Sequence, residues 1–132
     1  MFDLKMVTYE GLYKQAEVES INVPTNDGRR GILPNHMPII LTLCVGVVAV
    51  KVADGSVSRY TVGDGVLYFE DNKAILLSDV IEDVASIDVD RARQAAQRAR
   101  QRLDEAMPAS EVRRATVALA RAENRLKAAE KR

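Results

Sequence analysis

The hexapeptide Ile87-Asp88-Val89-Asp90-Arg91-Ala92 divides the chain into two kinds of sequence, and that change of character constrains the fold more than any other feature. Before it, β-branched residues alternate with polar ones, and glycines and Asp-Gly pairs recur every few positions. After it stand alanine, leucine, arginine and other helix formers, interrupted once by Pro108. Strands repeat every two residues and helices every 3.6, so a strand-rich body must meet a helical tail here. At 132 residues the chain is long enough for one modest core and short for two. An α+β chain is expected, with a body over residues 1–84 and a tail over residues 85–132.

Within the body, residues 2–8 set Phe2, Leu4 and Met6 against Asp3, Lys5 and Val7, the pattern of a half-buried strand. Residues 18–23 repeat the alternation. Residues 45–52 and 56–62 flank Asp54-Gly55, a pair that favours the positive φ angles of a type I′ hairpin turn. Turns at Gly63-Asp64-Gly65 and Asp71-Asn72-Lys73 bracket two more short strands. Many short strands with no helix-length pattern between them predict an antiparallel β-sandwich. Residues 31–38 carry Pro34, Pro38 and a flanking glycine, which predicts a fixed irregular loop holding Ile32, Leu33 and Met37. That loop is either a docking surface or a plug for one end of the sandwich. His36, the single histidine, has no neighbouring nucleophile or second ligand and reads as structural.

In the tail, Asp88 suits the N-cap of the first helix, and Asp90 favours the positive end of its dipole. Val89, Ala92, Ala96, Ala99, Leu103 and Ala106 are spaced alternately by 3 and 4, as are Val112, Ala115, Leu119, Ala122, Leu126 and Ala129. Each helix therefore presents an apolar seam. Pro108 ends the first, Ser110 is placed to cap the second, and the short link between them predicts an antiparallel two-helix hairpin with arms roughly 30 Å long. Alanine seams bury little area, so the hairpin should be able to open. Arg91, Arg98 and Arg102 fall on one edge of the first helix, and Arg114, Arg121 and Arg125 on the corresponding edge of the second. Reflection about the turn brings Arg91 towards Arg125 and Arg98 towards Arg121. Gathered guanidiniums beside a helix N-terminus suit a triphosphate; a solvated basic face, or one awaiting an acidic protein, fits the spacing as well.

Other classes of function lack their residues. Cys44 is the only cysteine, which leaves no internal disulfide and no thiol or metal constellation. The longest apolar run, residues 37–50, is short of the ~20 needed to span a bilayer, so no direct membrane insertion is expected. Residues 87–132 hold 12 Lys/Arg against 7 Asp/Glu, and residues 1–86 hold 7 against 12, so a polyanion should prefer the tail. A nucleic-acid-binding module using the basic helices is the alternative function. Against it stand a net charge of zero and few aromatics, none of them among the arginines.

Gly31-Ile32-Leu33-Pro34 followed by His36 and Pro38, ahead of a β-rich segment and a C-terminal Ala/Arg helical pair, resembles the epsilon subunits of bacterial F-type ATP synthases over essentially the whole chain. The resemblance implies a non-catalytic rotor subunit at the cytoplasmic face of the cell membrane. Its sandwich would be bound to the gamma subunit and the membrane ring, with Ile32, Leu33, His36 and Met37 as docking residues. It further implies helices that block hydrolysis at the catalytic beta subunits when extended. Ile87, Asp88, Arg91 and Ala92 match the Ile-Asp-x-x-Arg-Ala motif of family members that bind ATP. Arg98, Arg121 and Arg125 match further arginines of that site, and Glu82 a carboxylate placed to accept from the adenine amino group. ATP is then a regulatory ligand, with no obligatory cofactor and no nucleic acid. Arg29-Arg30 departs from the family, which usually carries an acidic residue at this point, so a ring contact through that carboxylate does not carry over.

Overall fold

The computed structural model describes residues 1–104 and 108–130. The chain forms two units, Met1–Asp83 and Val84–Arg132.

The first unit is built from ten strands: β1 (Phe2–Thr8), β2 (Gly11–Val18), β3 (Ser20–Thr25), β4 (Gly28–Ile32), β5 (Ile39–Leu43), β6 (Gly46–Lys51), β7 (Val57–Val62), β8 (Gly65–Glu70), β9 (Lys73–Ser78) and β10 (Ile81–Asp83). They form one ladder in the order β10-β7-β6-β3-β5-β8-β9-β1-β2, with β4 beside β3. Strand β3 is the corner, because residues 20–22 pair with β6 whereas Thr25 pairs with Leu43 of β5. The ladder curls over on itself. Strands β2 and β7 lie near its opposite ends, yet Lys14 Nζ donates to the Tyr60 hydroxyl at 3.1 Å and the Tyr13 and Tyr60 rings meet edge to face. The two layers of the resulting β-sandwich enclose one core, in which Phe2, Leu4 and Met6 of β1 meet Leu67 and Phe69 of β8 and Leu76 of β9. Phe2 and Phe69 stand edge to face with centroids 5.3 Å apart.

Every pairing is antiparallel except β1 with β9, which run parallel and make the sheet mixed. The alternation over residues 18–23 belongs to two strands, since β2 ends at Val18 and β3 begins at Ser20. Asp54-Gly55 is not a type I′ turn. Gly55 alone of the pair has positive φ (87°), the Gly55 amide donates to the Val52 carbonyl at 2.9 Å, and the Val52 amide donates to the Ser56 carbonyl at 3.0 Å. This is a type I turn closed by a left-handed glycine, the three-residue hairpin solution. The type I′ signature sits instead at Asp71 and Asn72, with φ of 51° and 58°, in the two-residue link between Glu70 and Lys73.

The segment before the Pro34 loop is also corrected. Residues Gly28–Ile32 are strand β4, paired with β3 in register Ile21↔Ile32. Ile32 is 1% exposed and belongs to the core, so it has no surface to offer a partner.

The second unit opens with a 3-10 turn, Val84–Ser86, followed by α1 (Val89–Leu103) and α2 (Ala109–Glu130). The helices pack together as an antiparallel pair, seam to seam, with Ala92, Ala96 and Ala99 buried on α1 and Ala115, Ala122 and Ala129 on α2. Val112, expected in the seam, is 38% exposed, so on α2 burial begins at Ala115. Ala106 lies outside the described residues. Ser110 does not cap α2: it is inside the helix, and the Pro108 carbonyl accepts from the amides of Glu111 and Val112 at 3.0 and 3.1 Å. Proline before the first helical turn needs no amide of its own, which makes that start possible without a hydroxyl cap.

Candidate functional site: the capped helix and the arginine cleft

Asp88 caps α1. Its backbone is extended (φ −82°, ψ 104°) and its carboxylate accepts from the Arg91 amide at 3.1 Å, satisfying one of the free donors of the first turn. Ile87 and Ala92 flank the cap with buried side chains. They fix where the cap stands, and their amides are already engaged, Ile87 donating to the Val84 carbonyl at 3.3 Å and Ala92 to the Asp88 carbonyl at 3.0 Å. Arg91 is exposed on the first turn. Arg93, two positions on, is held 3.6 Å from Asp90, so among the described residues this turn carries one guanidinium in an ion pair and one, Arg91, in none.

Further along, α1 and α2 enclose a cleft of about 230 Å³ lined by Ala95, Arg98, Ala99, Arg102, Arg114, Ala115 and Ala118. Its floor is methyl groups and its rim is guanidinium. The cleft joins Arg98 to Arg102 and Arg114 and includes none of Arg91, Arg121 and Arg125. Arg121 and Arg125 lie farther along α2, half-buried, with their Nε atoms out of contact with solvent. Arg100, on the other side of α1, donates to Glu123 Oε1 at 3.1 Å and ties the helices together. Glu82 belongs to the first unit, on β10 opposite Thr61 of β7, and its carbonyl accepts from Thr61 Oγ1 at 3.5 Å.

In the first unit the remaining docking candidates share one loop. Leu33 and Met37 are 64% and 72% exposed. His36 is half-buried, its ring edge-on to Phe69 at 6.0 Å and its Nδ1 2.7 Å from the Met37 carbonyl, so it seats the loop on the core. Two residues to which sequence reasoning gave no tie between segments fix this region. Asn72 Oδ1 accepts from the Asn35 amide at 2.8 Å, and Asn72 Nδ2 donates to the Met1 carbonyl at 2.8 Å. Arg29 donates to the Asn22 side chain and, through Nη2, to the carbonyls of Asn22 and Val47 at 3.2 and 2.7 Å, binding β4 to its neighbours. Burial pushes the Arg29 guanidinium below its ordinary value. The Asp-Asn turn signal could have led to Asn72, whereas nothing local in the sequence marks Arg29 as structural.

Among the described residues no group of three or more His, Cys, Asp or Glu is placed to hold a metal ion. Among the described residues no helix is long and apolar enough to cross a membrane.

Residues 1–84 match the family described as the ATP synthase Delta/Epsilon chain beta-sandwich domain, and residues 86–130 match its long alpha-helix domain. The chain is 39% identical over 129 residues to the ATP synthase epsilon chain of Caldicellulosiruptor bescii, covering 98% of this chain and 93% of that one. It is 41% identical over 127 residues to that of Moorella thermoacetica, covering 96% and 95%. A chain in the mitochondrial ATP synthase of Euglena gracilis, solved with OSCP, F1 and the c-ring, has the same fold, with a TM-score of 0.82 at 23% identity over 96% of this chain and 79% of that one. Matched over both units and at this identity to bacterial relatives, the chain belongs to the epsilon chain family, the non-catalytic epsilon subunits of ATP synthase.

Proposed function

We propose that this chain is the part of the ATP synthase central stalk that links the gamma subunit to the membrane ring, and that its helical pair is an ATP-responsive brake on hydrolysis. The observation that carries the reading is the first turn of α1, where Asp88 caps the helix and Arg91 stands exposed beside it. A guanidinium at a helix N-terminus offers a fork of donors and a favourable field to phosphate oxygens. Arg98, Arg121 and Arg125 supply further positive charge on the same helical pair, and Glu82 is the carboxylate for the adenine amino group. Joined by alanine seams, the helices attract each other weakly. ATP that binds only the closed pair would hold it closed, and a pair left open would extend towards acidic surfaces of the catalytic beta subunits.

Exposed Leu33 and Met37 support docking of the sandwich through the loop after β4. With Arg29 engaged in the sheet, any charged contribution on that side falls to the exposed Arg30. The seat of the protein is then the inner face of the membrane, reached through its partners.

Titrating ATP into the full chain while following the amide signals of residues 82–126 tests the nucleotide site. Saturable shifts centred on residues 87–98 are expected, and their absence would remove ATP from the reading. In the assembled enzyme, Asp88→Ala combined with Arg91→Ala should leave hydrolysis inhibited at ATP concentrations that release the parent. Identical ATP dependence in parent and double variant would end the brake reading.

A further inference from the structure

The cleft between α1 and α2 is a second place of positive charge, separate from the capped first turn. Arg102 stands about 16 Å along the helix axis from Arg91 at 1.5 Å per residue. Arg98 and Arg102 rise from α1 and Arg114 from α2, and all three border the same cavity of about 230 Å³. Among the described residues no carboxylate lines it. Asp104 and Glu111 stand nearer in sequence but do not line it, and the acidic groups that form ion pairs are used elsewhere: Asp90 with Arg93, and Glu123 with Arg100 on the opposite side of the pair. Among the described residues, the side chains of Arg98, Arg102 and Arg114 make no hydrogen bond or ion pair.

Three guanidiniums around one cavity repel each other, and each keeps its donors unused. The floor of Ala99 and Ala115 lets the two backbones approach, so arginines from facing helices reach a common point. Here the C-terminal end of α1 and the N-terminal end of α2 lie side by side and their dipoles oppose, so the attraction for an anion comes from the side chains. A compact, multiply charged oxyanion matches that chemistry. Its oxygens accept from several planar forks at once, and its charge cancels the repulsion between them.

We propose that Arg102 and Arg114, together with Arg98, which the proposed nucleotide site shares, form an anion site for a free phosphate-class oxyanion, such as inorganic phosphate or diphosphate, centred away from Asp88 and Arg91. Occupied, it cross-links the last turns of α1 to the first turns of α2 and favours the closed pair. The site would let the tail respond to phosphate as well as to ATP.

The test is calorimetric and NMR titration of diphosphate into the full chain, the parent beside Arg102→Gln/Arg114→Gln, Arg91→Gln and Arg113→Gln. Saturable one-to-one binding is expected in the parent, with amide shifts at residues 95–102 and 114–118. The double variant should weaken it at least tenfold, while Arg91→Gln and the charge control Arg113→Gln change it less than twofold. All four positions are exposed, so thermal melts should agree and a folding defect is separated from a binding one. Absence of saturable binding in the parent, or equal weakening in all variants, would overturn the proposal. A parallel ATP titration distinguishes the sources of phosphate: if ATP and not diphosphate depends on Arg102 and Arg114, the cleft holds the end of the nucleotide and the free-anion site is wrong. Diphosphate binding that depends on Arg102 and Arg114 supports the site whether or not ATP binds, so the two readings fail separately.

Discussion

Asn72 occupies the second central position of the β8–β9 turn with φ 58°, and its side-chain amide ties two other segments to that turn. A side chain that tolerates the left-handed region and also bonds Asn35 and Met1 is difficult to replace. Asn72→Gly should keep the turn and lose the ties, whereas Asn72→Ala should lose both, costing ~1–3 kcal/mol in a denaturant midpoint assay. On α1, Arg91→Ala should weaken ATP binding roughly ten- to a hundredfold, or ~1.5–3 kcal/mol, for the loss of charge-assisted contacts. Arg93→Ala, whose guanidinium is already turned to Asp90, should change it little. Equal losses at the two would show diffuse basicity in place of a site. The motif around Asp88 was legible because capping is local: the residue that accepts and the amide that donates are three positions apart. The partners of Arg29 lie on other strands, so no short window of sequence contains that interaction.

Strands β8 and β9 approach so closely at Gly65 that an added Cβ would lie 1.9 Å from the Leu77 carbonyl oxygen, an atom of the backbone that has nowhere to go. Gly65→Ala should cost at least ~2 kcal/mol by thermal or denaturant melt, in the range of severe single substitutions. Strand β1 was legible since every second residue is large, apolar and buried. Strand β2 was not, because it is an edge whose burial pattern is almost wholly exposed and its alternation carries no apolar signal. Strand β4 was hidden by the glycines and prolines around it. The helical seams were legible in period but not at their ends, where Val112 is exposed and Pro108 starts α2 without a hydroxyl. The cleft needed three dimensions: equal spacing places six arginines on one edge, and packing selects which of them share a cavity.

The core of the first unit contains no residue of α1 or α2, so residues 1–83 should fold alone. A chain ending at residue 83 should unfold cooperatively and show the proposed binding to gamma; an unfolded product would refute this. Its stability should fall under alkaline conditions. The hydrogen bond that Lys14 donates to the Tyr60 hydroxyl is the main cause that raises Lys14 above its ordinary value of 10.5, and burial raises Tyr13 above 10.0. Both groups hold their protons more tightly when folded, so what they contribute is complete below about pH 10 and is lost as pH climbs through the raised values. Tyr60→Phe should flatten that alkaline decline, and an unchanged pH profile would detach it from this pair.

The parallel pairing of β1 with β9 gives the sandwich a calendar. The first strand of the chain cannot gain its second neighbour until residues 73–77 have been made, roughly 65 residues after β1. At ~5–20 residues per second on the ribosome, that is an interval of several seconds during which β1 has only the β2 hairpin to lean on. Such distant contacts are slow to form, so the closing step of the sandwich falls late in synthesis, just before α1 begins. A nascent chain stalled within β8 should therefore remain open to protease, and one stalled after α1 should not.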